Sequence, residues 1–258
     1  MRSLNRQKQW VSFFTSIAFI FRHVRLLGWS ALLIAATGLF TWFGYFEAIR
    51  FVDGLTGHFF QTAPAAVGIL GWLSVKGWVI LKYLFLMITR IAAFYLAFLT
   101  AYCLTTPGYV FLSGTAEHIY LGRKDRQQTR LSPVTLLVDL WEGIKIGIVG
   151  LLVTVIALVV NFIPVVGQAL VFLIYVFYSA LMFIDYPASN KRWSLGQKMD
   201  WVRVNPGRSF RLGIFPALIS LIPLINVLFM AVLFPLFTVH TTLNFIAVQN
   251  GQVPDRSS

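Results

Sequence analysis

From Ile146 to Ile184 the chain carries no charged residue, and from Leu212 to Val248 it again carries none. Leu26–Phe46 is a third charge-free run. A hydrocarbon layer about 30 Å thick is crossed by about 20 helical residues at ~1.5 Å each. Runs of this length therefore specify an integral membrane protein. Only 12% of the 258 residues are charged, against about 25% in soluble domains. Alternating ten-residue segments of barrel type are absent, so the expected fold class is an all-α membrane protein.

Both longer runs are interrupted near the middle. The first contains NFIPVVGQ, Asn161 to Gln168; the second contains SLIPLINV, Ser220 to Val227. Proline lacks an N–H and disrupts a helix interior. Gly167 can adopt a left-handed turn, and so can Asn226. Ile163 and Pro164 correspond to Ile222 and Pro223, which makes a weak internal repeat. Residues 146–184 and 212–248 are therefore expected to be helical hairpins joined by a basic loop, 185–211. Each arm has about 16 apolar residues, roughly 24 Å, short of a full crossing. Penetration into only part of the membrane is the expectation. Irregular backbone at that depth needs protein or water around it.

Two long spans precede the hairpins: residues 26–46 and residues 79–105, the second with Pro107 marking its exit. The link from Glu47 to Gly77 is nearly neutral. Residues 1–25 hold Trp10, Phe14, Ile17 and Phe21 at helical spacing among basic residues, which reads as an amphipathic helix at the interface. The stretch imitates a signal peptide but lacks a small-x-small cleavage site.

Lys and Arg total 21 against 9 Asp and Glu. The excess crowds short segments beside the spans: Arg2, Arg6, Lys8, Arg22 and Arg25; Arg123, Lys124, Arg126 and Arg130; then Lys191, Arg192 and Arg203. That pattern is the one topology requires, rather than a nucleic-acid surface. It places both termini and these segments in the cytoplasm. Cys103 is the single cysteine, and no Cys/His spacing suits a metal. No cofactor motif, P-loop, GxSxG or HExxH occurs, so no enzyme is expected.

Several polar residues sit where apolar ones are the rule. Arg90, within LMITRIAAF, is either a functional intramembrane cation or one that reaches the interface. His240, beside Thr241, Thr242 and Asn244, lines a pathway or makes helix–helix hydrogen bonds. Asn161, Gln168 and Asn226 stand at the interruptions. Arg22, His23 and Arg25 precede the first span, where they hold an anion near a helix start or anchor to lipid headgroups.

FIPVVGQ, then DYPASN, then the basic loop ending FRLG, then SLIPLINVLFM, occur in that order. This series resembles the CysZ sulfate permease family, related to the etoposide-induced membrane proteins. The matching positions are Pro164, Gly167, Gln168, Asp185, Tyr186, Pro187, Asn190, Phe210, Gly213, Ile222, Pro223, Leu224 and Asn226. The resemblance implies a bacterial inner-membrane protein with two long spans, two partly penetrating hairpins, oligomers, and sulfate uptake feeding cysteine biosynthesis. It also implies an anion-binding stretch of Gly-x-Arg-Arg type before the first span. Here that stretch reads His23, Val24, Arg25, Leu26, so Arg25 alone carries over. The functional expectation is a channel-like path for sulfate or a similar oxyanion. The alternative is a lipid-interacting scaffold of the same fold.

Overall fold

The computed structural model describes residues 10–61, 68–122, 133–164, 166–222 and 225–252. Within them the backbone is helical, with no strand. Eight helices follow in order: α1 (Phe13–Arg22), α2 (Val24–Gln61), α3 (Gly68–Leu121), α4 (Pro133–Val160), α5 (Val166–Asn190), α6 (Leu195–Val204), α7 (Pro206–Ser220) and α8 (Ile225–Gln252). Among the described residues, five helices are long and apolar enough to cross a membrane: Val24–Thr56, Gly71–Leu121, Leu137–Val160, Val166–Asn190 and Phe229–Gln249. The chain divides into two compact units, Met1–Ala35 with Cys103–Ser258, and Ala36–Tyr102.

Both interrupted runs fold back as helix–turn–helix. Near the middle of the first hairpin the Tyr178 hydroxyl donates to the Ile146 carbonyl at 3.3 Å, which fixes α4 and α5 as antiparallel neighbours. The described residues of the turn keep their backbone donors occupied. Asn161, Phe162 and Ile163 donate to the carbonyls of Ala157, Val159 and Val160, and Gly167 donates to that of Ile163. Pro164 has no N–H to satisfy. The turn thus meets the main requirement for irregular backbone in a low-dielectric layer.

Gly167 does not take the expected left-handed conformation. It is helical, in the first turn of α5. Its reason is space: a Cβ would collide with the Val160 carbonyl oxygen. Asn226 is likewise helical, in the first turn of α8. Neither position supplies a positive φ. Pro223 and Leu224 lie outside the described residues, as do Arg2, Arg6, Lys8, Arg123, Lys124, Arg126 and Arg130.

Three boundaries differ from the sequence reading. Pro107 does not end its helix; α3 continues through it to Leu121. One proline removes one backbone bond, and packing on both sides holds the remainder. The link after the first span is largely helix, because α2 runs to Gln61 and α3 starts at Gly68. The basic loop is mostly helix too: α5 extends to Asn190 with Pro187 inside it, and α6 follows. The short turn between them uses Arg192 at φ 58°. A capping box starts α6: the Gln197 N–H donates to Ser194 Oγ, and the Ser194 N–H donates to Gln197 Oε1. This arrangement satisfies two otherwise orphaned donors.

α5 is the central element, packed against α4, α6, α7 and α8. Ala180, Ile184 and Ala188 of α5 form a core with Trp201, Leu212, Phe245 and Val248. α5 and α7 approach closely at Gly213. A Cβ there would lie 2.8 Å from the Val176 carbonyl carbon and 3.0 Å from the Ala180 nitrogen. Both are backbone atoms, which cannot rotate away. Gly213→Ala is expected to cost about 1–3 kcal/mol, the usual penalty of overpacking. Thermal unfolding in detergent should show a lower Tm. Gly28→Ala, where a Cβ meets nothing within 4 Å and alanine is the better helix former, should leave the Tm unchanged or slightly raised.

Candidate functional site

The residues singled out from sequence fall into three places. The first is the base of the hairpins. Asp185, on α5, is buried and accepts a 2.7 Å bond from Lys198 Nζ. Lys198 also donates to Glu142 of α4 at 3.0 Å and to Ser189 at 3.3 Å. Its ammonium therefore has a partner for each of its three protons, with the side chain fully buried. Glu142 holds Lys145 as well, at 2.5 Å. Asp139 is buried nearby, in the field of Arg192 and Lys198. One lysine thus ties α4, α5 and α6 together.

The DYPASN stretch does the rest of this joining. Tyr186 is buried, with its ring 5.7 Å from Tyr109 of α3 and 5.8 Å from Phe234 of α8. Pro187 lies buried within the helix. Asn190 Nδ2 donates to the Val110 carbonyl at 3.3 Å and to Ser113 Oγ at 3.4 Å. Ser113 in turn meets Thr242 of α8 at 2.8 Å. Asp185 and Asn190 thus hold helices together rather than facing an open recess.

Lys198 was not singled out from sequence, yet a signal was available. Leu195, Lys198 and Trp201 recur at helical spacing, which puts a lysine on the apolar face of a short helix. An apolar-face lysine calls for a buried acid.

The second place is α8. His240 is buried, and its Nδ1 lies 2.9 Å from Ser16 Oγ of α1. The rings of Trp10 and Phe13 stand edge-on to it at 6.0 and 5.6 Å. The side chain of Asn244 copies a backbone unit: Oδ1 accepts from the Val11 N–H at 2.9 Å, and Nδ2 donates to the Val11 carbonyl at 3.1 Å. In the structure this cluster makes a helix–helix contact. It docks the N-terminal segment.

The third place is the junction of α1 and α2. Arg22 is in the last turn of α1 and Arg25 in the first turn of α2, both exposed. His23 between them is extended, at φ −117° and ψ 97°, with Nδ1 2.7 Å from the Phe19 carbonyl. The His23 carbonyl accepts from Leu26 and Leu27. The first N–H groups of α2, at Val24 and Arg25, precede any intrahelical acceptor. Two guanidinium side chains and a helix start thus share one exposed junction. α1 itself is apolar on two sides. Ser16 and Ile20 pack inward, while Phe14 and Phe21 face outward.

The remaining candidates stand apart from these places. Arg90 is exposed on α3, within the unit Ala36–Tyr102. Asn161 and Gln168 are exposed beside the first turn.

Lys198→Met should destabilise the protein by about 3–5 kcal/mol, because it leaves Asp185 charged and buried without a partner. Adding Asp185→Leu should recover much of that loss, since Glu142 keeps Lys145. Chemical unfolding in detergent, compared across the single and double variants, checks this.

A family model described as "Sulfate transporter CysZ/Etoposide-induced protein 2.4" matches residues 12–231. No curated protein matches the chain.

Proposed function

Because the chain belongs to the sulfate transporter CysZ/etoposide-induced protein 2.4 family, we propose that it passes sulfate, or an oxyanion of like size and charge, across a membrane. In this reading the membrane is the bacterial inner membrane, both termini are cytoplasmic, and the anion feeds cysteine biosynthesis. The working form is a homo-oligomer. The observation that carries the reading is the junction of α1 and α2, where exposed Arg22 and Arg25 flank His23 at the start of a charge-free run.

Arg25 offers a planar fork of donors to a tetrahedral oxyanion, and the start of α2 adds N–H groups of the same polarity. Arg22 raises the local anion concentration. In this reading the hairpins α4–α5 and α7–α8 enter the membrane without crossing it, their shorter arms setting the depth, while α5 and α8 are themselves long and apolar enough to cross. From Ile146 to Val160 the charge-free part of α4 is about 22 Å long, and the whole 15-residue α7 is about 22 Å, both below ~30 Å. Transport is channel-like and draws on no nucleotide hydrolysis.

A second reading, a lipid-binding scaffold, is favoured by one feature. Phe14 and Phe21 point outward from α1 beside Arg22, which suits an anionic membrane surface. Sulfate flux separates the two. Radiolabelled sulfate should enter liposomes holding the purified protein faster than empty ones. Arg25→Ala should lower that flux about tenfold at low sulfate, the weight of one charge-assisted hydrogen bond. Folded protein with no flux above empty liposomes overturns the transport reading and leaves the scaffold.

A further inference from the structure

His23 stands between Arg22 and Arg25 in the chain, so its ring borders any anion held at the α1–α2 junction. Its hydrogen bonding fixes its chemistry. Nδ1 lies 2.7 Å from the Phe19 carbonyl oxygen. A carbonyl can only accept, so Nδ1 carries the hydrogen and donates. In a neutral imidazole the other nitrogen is then an acceptor with no hydrogen of its own. Among the described residues His23 Nε2 makes no hydrogen bond. The Phe19 ring, 4.5 Å from the imidazole and tilted by 52°, steadies it from the α1 side. The other polar groups of the junction are donors: the guanidinium groups of Arg22 and Arg25, and the first N–H groups of α2. Among the described residues neither arginine makes an ion pair.

The end of α3 borders the same place. α3 runs antiparallel to α2 here: Trp29 meets Phe111 at 4.6 Å, and a Cβ on Gly108 would meet the Leu33 side chain. Its last turns are therefore level with the junction, and Tyr120 lies 6.3 Å from Phe19. They bring Glu117, His118 and Tyr120 to that level. The charged and titratable groups around His23 are thus Arg22, Arg25 and these three, with Glu117 the acid among them.

Sulfate keeps no proton at neutral pH, so its four oxygens only accept. It suits the donors and meets the Nε2 lone pair with repulsion. Hydrogen phosphate has nearly the same size and the same charge, but one oxygen carries a hydrogen. That O–H donates to Nε2 while the other oxygens accept from the arginines and from α2. One acceptor in a donor-lined site selects in this way because a polar group left unpaired costs more than a made hydrogen bond gains.

We propose that His23 is the specificity-determining residue of the junction, and that at neutral pH it selects a protonated oxyanion of the hydrogen phosphate class over sulfate. The inference rests on the transport reading for its anion site and narrows the solute. Imidazoles gain charge between about pH 8 and about pH 5, and the charged ring donates from both nitrogens. On acidification His23 becomes a third cationic donor beside the two arginines, and sulfate is then accepted.

Equilibrium binding of radiolabelled sulfate and of radiolabelled phosphate to the purified protein tests this. At about pH 7.5 phosphate should bind about tenfold tighter than sulfate, the weight of one hydrogen bond to a charged group. At about pH 5.5 sulfate should bind several-fold tighter than it does near neutrality. His23→Ala should bring the two anions within about twofold and flatten the pH dependence of sulfate. His23→Lys, a donor at both pH values, should favour sulfate at both. Glu117→Gln should keep the phosphate preference. Sulfate binding as tight as phosphate near neutral pH overturns the proposal, and so does a phosphate preference that survives His23→Ala or is lost in Glu117→Gln. Each of these results leaves the transport reading in place if sulfate flux into liposomes is present. Binding of neither anion overturns the proposal together with the anion site it rests on.

Discussion

A hydrocarbon layer about 30 Å thick admits only backbone whose polar groups are already paired. The described structure follows from that constraint. Its elements are helices, and the turn at Asn161–Pro164 keeps its donors on carbonyls one helical turn earlier. Pro164 removes a donor where none can be placed. Gly167 then lets the returning helix start against the Val160 carbonyl. A left-handed residue would reverse the chain equally well in water. In lipid it would leave more of the turn to be satisfied by something else.

The same constraint explains where charge is allowed inside the fold. Lys198 is fully buried, yet each of its protons has an oxygen. Desolvating such a group is expensive, and the return is less net stability than a fixed geometry. Asp185, Glu142 and Lys198 lock the base of the first hairpin to α6. Asn190 and Tyr186 lock the same region to α3 and α8. These anchors sit at one end of the charge-free arms, which leaves the turns at the other end free of charge. In the proposed function, that rigid base holds the hairpins beside α2, whose first turn carries Arg25.

Much of this was legible in the sequence. Charge-free runs gave the membrane class, and Pro164 gave the first hairpin. The FIPVVGQ, DYPASN and LIPLIN series gave the family. What was missed has physical reasons. Periodicity shows that a residue is buried but not what it touches, so Asp185 read as a motif without Lys198. Hydropathy counts residues and does not see where a helix ends. Arg90 therefore looked central to a span over 79–105, while α3 runs far past both limits. Pro107 looked like a stop because its cost is local, whereas its neighbours hold the helix on both sides. His240 carried two readings because its partner Ser16, and the Val11 partner of Asn244, lie more than 220 residues away in sequence.

Membrane depth along α2 and α3 is the quantity on which these assignments turn. If the hydrocarbon spans Ile91–Ala116, the native Cys103 stands at its midplane and Arg90 at one surface. In the proposed function, Arg25 stands at the membrane surface where the anion is met. Spin labels at Cys103, and at Arg25→Cys and Arg90→Cys in a Cys103→Ser background, report depth through the ratio of oxygen to water-soluble nickel collisions. Cys103 should give the deepest reading, with Arg25→Cys and Arg90→Cys both shallow. A deepest reading at Arg90→Cys would contradict this placement and put a buried cation at the centre of the membrane.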